Sequence, residues 1–145
     1  MSSVRVDASP EEVWAVLADF GGIAGWAGPV DHSCVVSSET AGVDAVRRIQ
    51  TGRNVVLERV VDWEEPSTLA YRIEGLPPVL RSVVNRWTVD GDASGSVVVL
   101  DTVVEAGPRP PQRVVARVVS RRLAAVAEQL LDGLAAEVSR RKVIA

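Results

Sequence analysis

At 145 residues the chain has the length of one domain, enough to enclose a core and, if a sheet curves, a cavity beside it. Hydrophobic residues make up 47% and charged residues 24%, and the net charge of −3 removes any electrostatic draw toward nucleic acid or an anionic membrane. Cys34 and His32 are the sole residues of their kinds, which excludes an internal disulfide and a thiolate-cluster metal site and argues against a zinc or non-haem iron centre. The N-terminus shows no basic segment followed by an apolar run. No stretch approaches the ~20 apolar residues of a membrane span, so a cytoplasmic protein without membrane insertion is expected.

In chain order, Ser2 to Ala8 reads as a short first strand. Ser9 can cap a helix that begins at Pro10, where the missing N–H costs nothing, and Glu11 and Glu12 set negative charge at the positive end of its dipole. Val13, Trp14, Val16, Leu17 and Phe20 then recur at helical spacing, with Trp14 a core residue. Gly21 and Gly22 end that helix, and Ile23 to Trp26 allows one further turn before Gly28 and Pro29.

After Pro29 the pattern becomes extended, and turn-forming residues arrive at the intervals of an antiparallel meander. The expected strands are Val30 to Ser38, Asp44 to Thr51, Val55 to Trp63, Thr68 to Glu74, Ser82 to Asp90 and Ser96 to Glu105. Beyond Gly107-Pro-Arg-Pro-Pro111 the helical period returns, with Val115, Val118, Val119, Leu123, Val126, Leu130, Leu134 and Val138 on one side. So wide an apolar face must lie against the sheet. Arg113, Arg117, Arg121 and Arg122 fall opposite it and read as a solvated face. There is no repeat, low-complexity segment or linker, so residues 1–145 are expected to form a single domain.

The resulting α+β order, strand, two short helices, six antiparallel strands and a long helix, describes a helix-grip fold. In it a seven-stranded curved antiparallel sheet wraps around the C-terminal helix, with the two short helices between strands 1 and 2, and encloses a cavity. The chain resembles the START-like, birch-pollen-allergen-like superfamily (SRPBCC), often labelled polyketide cyclase/dehydrase and lipid transport proteins. The resemblance rests on Val13-Trp14-Ala15-Val16-Leu17-Ala18-Asp19-Phe20 with Trp26, on Leu57-Glu58-Arg59-Val60, on Leu69-Ala-Tyr-Arg-Ile73 and on Leu123-Ala-Ala-Val-Ala-Glu128. It covers nearly the whole chain. The superfamily ranges from carriers and receptors to cyclases, so it implies a container more than a reaction.

Strand alternation nominates the cavity lining. Tyr71 alternates with Arg72 in the fifth strand, and Val83, Asn85 and Trp87 alternate with Val84 and Arg86 in the sixth, so Tyr71, Val83, Asn85 and Trp87 are expected inside. Two other strands stay open, because Val56-Glu58-Val60 competes with Val55-Leu57-Val61, and Val97-Val99-Asp101-Val103 with Val98-Leu100-Val104. Similarity to the plant abscisic-acid receptors, distant members of the superfamily, implies polar cavity positions at His32 before Ser33-Cys34, at Glu58 before Arg59-Val60 and at Asp101. The resemblance then groups these three with Tyr71 and Asn85 among Trp87, Val83, Val99, Val115 and Val119, with Trp26 at the mouth as part of a lid.

Such convergent polar groups in an apolar pocket suit a small-molecule site, and a histidine beside carboxylates can move protons in a cyclisation, dehydration or isomerisation. The plainer alternatives are that His32 lies at a rim, that Glu58 pairs with Arg47 or Arg86, and that Asp101 accepts hydrogen bonds from Asn85 or Tyr71. Two functions are therefore expected from the sequence. One is a cofactor-independent enzyme of secondary metabolism acting on a hydrophobic, oxygenated, polyketide-like molecule with His32, Glu58 and Asp101 as acid and base. The other is a carrier of a lipid-like or aromatic ligand. No cofactor is implied, because glycine-rich phosphate loops and metal-ligand clusters are absent, and a homodimer through sheet edges or the long helix is compatible with the pattern.

Overall fold

A computed structural model of the chain describes residues 1–77, 80–106 and 110–144; of the expected connections, Pro78 and residues 107–109 lie outside them. The elements are β1 (Ser2–Val6), α1 (Pro10–Ala18), a short 3₁₀ helix (Phe20–Gly25), β2 (His32–Val35), β3 (Val46–Thr51), β4 (Asn54–Glu64), β5 (Thr68–Glu74), β6 (Leu80–Asp92), β7 (Gly95–Ala106) and α2 (Pro110–Ile144). All seven strands form one antiparallel sheet in the order β1-β7-β6-β5-β4-β3-β2. Each strand from β2 to β7 pairs with its sequence neighbour, and β1 closes on β7. This is the helix-grip architecture expected from the pattern.

Local chemistry sets the bounds. Ser9 and Glu12 complete a capping box: the Ser9 hydroxyl accepts from the Glu12 N–H at 3.2 Å, and the Ser9 N–H donates to the Glu12 carboxylate at 3.1 Å. Val13, Trp14, Val16 and Leu17 bury the inner face of α1, and Phe20 and Ile23 do the same for the short helix. Trp63 packs edge-to-face on Trp14 with ring centroids 5.2 Å apart. It reaches that face because a β-bulge between Val60 and Asp62 shifts the alternation of β4 by one residue. Before the bulge Glu58 and Val60 are buried; after it Trp63 turns inward while Asp62 pairs with Arg86 outside.

α2 is gripped along its second half. Ala127, Leu130, Leu131, Leu134 and Val138 are buried, whereas Val114, Val115 and Val118 are exposed, and Val119, Leu123 and Val126 are half-buried between them, so the cover of the apolar stripe deepens along the helix. Gly133 marks the tightest approach: a Cβ there would fall inside van der Waals contact of the Trp26 carbonyl oxygen, so the chain at Trp26 rests directly on the α2 backbone.

Candidate functional site

The site begins at a tight turn. Gly52 (φ 60°) and Arg53 connect β3 to β4 in the register Thr51↔Asn54, which sets Arg47 directly opposite Glu58 on the concave face. Arg47 Nε donates to Glu58 Oε1 at 2.8 Å, with both side chains nearly sealed from solvent. Arg47 Nη1 donates to the Phe20 carbonyl at 3.0 Å, and the guanidinium lies 3.9 Å from the Phe20 ring centroid and 4.5 Å from that of Tyr71. One cation therefore holds the 3₁₀ helix, β4 and β5 together.

Next to this pair, on its Glu58 side, lies a cavity of about 210 Å³. Its sheet walls are Ile49, Val56, Glu58, Tyr71, Ile73 and Asn85; Ile23, Pro29 and Val30 from the segment between α1 and β2 and Leu123, Val126 and Leu130 of α2 complete it. The lining is predominantly apolar, with Glu58, Tyr71 and Asn85 as convergent polar groups, the usual composition of a small-molecule pocket. Two larger hollows, of about 340 and 370 Å³, are open polar grooves beside Asp92 and beside Met1. They enclose much less and converge on no buried polar group.

Within the site, Trp87 Nε1 donates to the Tyr71 hydroxyl at 3.1 Å and Thr102 Oγ1 donates to Asn85 Oδ1 at 2.6 Å. Burial, and after it the Glu58 carboxylate, push the Tyr71 phenol above its ordinary pKa, so it stays a neutral hydrogen-bond donor. Only Oε1 of Glu58 has a described hydrogen-bond partner, which leaves its second oxygen for a ligand. Two buried donors have no partner among the described residues, Arg47 Nη2 and Trp26 Nε1. Such a group typically costs about 1–3 kcal/mol, so two in one protein call for a reason.

Glu58, Tyr71 and Asn85 thus line the cavity as nominated. Trp87 is buried on the same face of β6 and, with Trp26, walls a narrow crevice next to the cavity; Val83 is buried on that face, outside the cavity lining. The other nominated positions lie elsewhere. His32 is exposed on the edge strand β2, because its neighbour Ser33 points inward to bond the Gly21 carbonyl at 2.8 Å and the Ala24 N–H at 3.0 Å. Asp101 stands opposite Arg86 on the convex face with Val99, since Val98 and Leu100 fill the concave side of β7. Val115 is exposed and Val119 half-buried, on the part of α2 that precedes the cavity-lining Leu123. Arg47, weighed from sequence only as a structural partner of Glu58, is the residue around which the site is built. The signal that finds it is the two-residue turn.

Among the described residues no three His, Cys, Asp or Glu side chains gather into a metal-binding set. A family model described as "Polyketide cyclase / dehydrase and lipid transport" matches residues 1–139. The chain belongs to this family. No curated protein matches it by sequence. Among solved structures, this polyketide cyclase/dehydrase and lipid transport family member is similar to the ZhuI aromatase/cyclase of Streptomyces sp. R1128, with 20% identity, a TM-score of 0.75, and coverage of 97% of this chain and 92% of that one. It is also similar to the di-domain aromatase/cyclase StfQ of the steffimycin biosynthetic pathway, at 13% identity and a TM-score of 0.78. The match covers 97% of this chain but 50% of StfQ, so the chain spans half the length of that protein. A third neighbour is the protein TTHA0849 of Thermus thermophilus, with 21% identity, a TM-score of 0.72, and coverage of 97% and 96%. At these identities the likeness establishes the fold, and the chemistry has to be argued from Arg47, Glu58 and Tyr71.

Proposed function

We propose that this protein binds a hydrophobic, oxygenated small molecule of the polyketide kind in the cavity between β3–β6 and α2, and performs cofactor-independent proton transfer on it. The observation that carries the reading is that Glu58 and Tyr71 line one apolar cavity while Arg47 fixes the carboxylate from behind. Glu58 acts as the base at a carbon next to a ketone. As the C–H bond breaks, its electron pair forms the enolate C=C bond, and charge moves to the carbonyl oxygen. The neutral Tyr71 O–H donates a hydrogen bond to that oxygen; the enolate carbon then attacks a second carbonyl of the same chain, whose C=O π bond breaks to an alkoxide that takes the proton back from the Glu58 carboxyl, which completes a cyclisation. A positioned base of this kind is worth about 10²–10⁴ in rate.

The test uses 2-tetralone, an enolisable bicyclic ketone. Its α-hydrogen exchange in D2O is followed by NMR with wild-type protein and with Glu58→Gln, the fold of each being checked by circular dichroism. Acceleration by wild type and loss of at least about 10² of it in Glu58→Gln is expected. A second reading, a carrier without chemistry, is favoured by one feature: Glu58 already has its charge matched by Arg47. Bound tetralone that exchanges no faster than free tetralone would establish the carrier and overturn the enzyme.

A further inference from the structure

Alongside the cavity lies a crevice walled by Leu17, Asp19, Ile23, Trp26, Arg47 and Trp87, too narrow in this conformation for a water molecule. The two partnerless buried donors, Arg47 Nη2 and Trp26 Nε1, belong to side chains of these walls. Arg47 is 2% exposed and its other nitrogens are engaged, Nε by Glu58 and Nη1 by the Phe20 carbonyl, so Nη2 is a fixed donor that cannot turn elsewhere without breaking both bonds. The crevice also has an acceptor: Asp19, whose carboxylate folds over Gly22 where a Cβ would clash with it. Two donors and one carboxylate around one space define what fits between them. A carboxylate ligand would face Asp19 with like charge, and an ammonium would face Arg47. A hydroxyl or enol oxygen accepts from both donors and gives its proton to Asp19.

We propose that Trp26, Arg47 and Asp19 form a second polar subsite that takes a hydroxyl or enol oxygen of the ligand whose apolar body fills the cavity. This rests on the ligand-binding reading above and adds to it the kind of oxygen that is recognised. Ile23 lines both spaces, so a shift of its side chain joins them. Room for the oxygen comes from Trp26. Its indole is half-buried and packs edge-to-face on Trp87 with ring centroids 6.0 Å apart, so a small rotation about its side-chain bonds opens the crevice while Nε1 still faces it. The ligand oxygen then supplies the two donors with the partner they lack, which is why a polar oxygen, and not an apolar group, belongs there.

The experiment compares naphthalene with 2-naphthol, which differ by one hydroxyl, by calorimetric titration and by the indole N–H resonances of protein labelled with ¹⁵N. Trp26→Phe keeps a ring on Trp87, deletes the donor and assigns the Trp26 resonance. Wild type is expected to bind 2-naphthol about tenfold more tightly than naphthalene, with the Trp26 resonance moving for 2-naphthol alone. Trp26→Phe is expected to lose most of that preference. Equal affinity for the two compounds in wild type, or a preference that survives in Trp26→Phe, overturns the subsite and leaves the cavity reading standing. Failure of both compounds to bind overturns the two together.

Discussion

Replacing Arg47 by Met tests the centre of this structure most directly. Methionine retains an unbranched apolar stem and removes the guanidinium, and with it the 2.8 Å bond to Glu58, the 3.0 Å bond to the Phe20 carbonyl and the stacking on Phe20 and Tyr71. Removing one partner of a buried pair costs about 3–5 kcal/mol, because the other charge is left uncompensated. Loss of the ring contacts adds about 0.5–2 kcal/mol. Deleting the partnerless Nη2 returns about 1–3 kcal/mol, which brings the net cost of Arg47→Met to about 3 kcal/mol. Glu58→Leu is expected to cost about as much or more, since it strands a guanidinium whose side chain is 3% exposed. The double substitution removes both charges and is expected to lie within about 1–2 kcal/mol of the parent protein. Urea unfolding followed by tryptophan fluorescence reads all four proteins, with equal m-values required for the comparison. Single substitutions that cost under about 1 kcal/mol, or that add without coupling, would refute the view that this pair is a sealed, interdependent unit.

Three further outcomes follow from named contacts. Tyr71 is the chain's one tyrosine, so phenolate absorbance near 295 nm on alkaline titration reports it alone; the midpoint is expected above the ordinary value of 10 in the folded protein and at it in denaturant. Because that pKa is raised on folding, the stabilisation is complete below pH 10 and fades as pH rises through the folded midpoint; a folded midpoint at or below 10 would contradict the burial of the hydroxyl. Gly133→Val is expected to lower the thermal midpoint despite valine's better helix propensity, since overpacking against the Trp26 carbonyl costs about 1–3 kcal/mol against a propensity gain below about 1 kcal/mol. Ser9→Ala should lose about 1 kcal/mol in urea unfolding through the capping box, and no change would mean that α1 does not need its cap.

The sequence carried the fold because its signals agree at several levels: the Ser9-Pro10 start of α1, the turn residues between strands and the return of helical period after Pro111. The facing of two strands stayed open because valine occupies both sides, but the turns hold the missing information. Ala93 and Ser94 connect β6 to β7 in the register Asp92↔Gly95, which sets Arg86 opposite Asp101. With Asn85 and Trp87 inside, Arg86 faces outward, and Asp101 must follow it. The same reasoning at Gly52-Arg53 sets Arg47 beside Glu58. Likeness to the hormone receptors ran against this register at Asp101 and, where Ser33 takes the inward position, at His32. The bulge at Val61 is harder to read, since nothing in Val60-Val61-Asp62 distinguishes a bulged strand from a regular one.

Arg47 also bears on how occupancy of the cavity would be felt at its mouth. The guanidinium holds the Phe20 carbonyl with Nη1 and the cavity-lining Glu58 with Nε, and it stacks on Tyr71, which accepts from Trp87, whose ring supports Trp26. A ligand oxygen that hydrogen-bonds Tyr71 or approaches Glu58 therefore works on groups that also fix the segment from Phe20 to Trp26. An apolar ligand of the same shape makes neither contact and leaves that segment as it is. Arg47→Met removes one of the two donors proposed for the ligand oxygen, so in that variant 2-naphthol is expected to lose part of its affinity advantage over naphthalene and to shift the Trp26 indole resonance less than in wild type, whereas an unchanged advantage and shift would show that Trp26 reads the hydroxyl without Arg47.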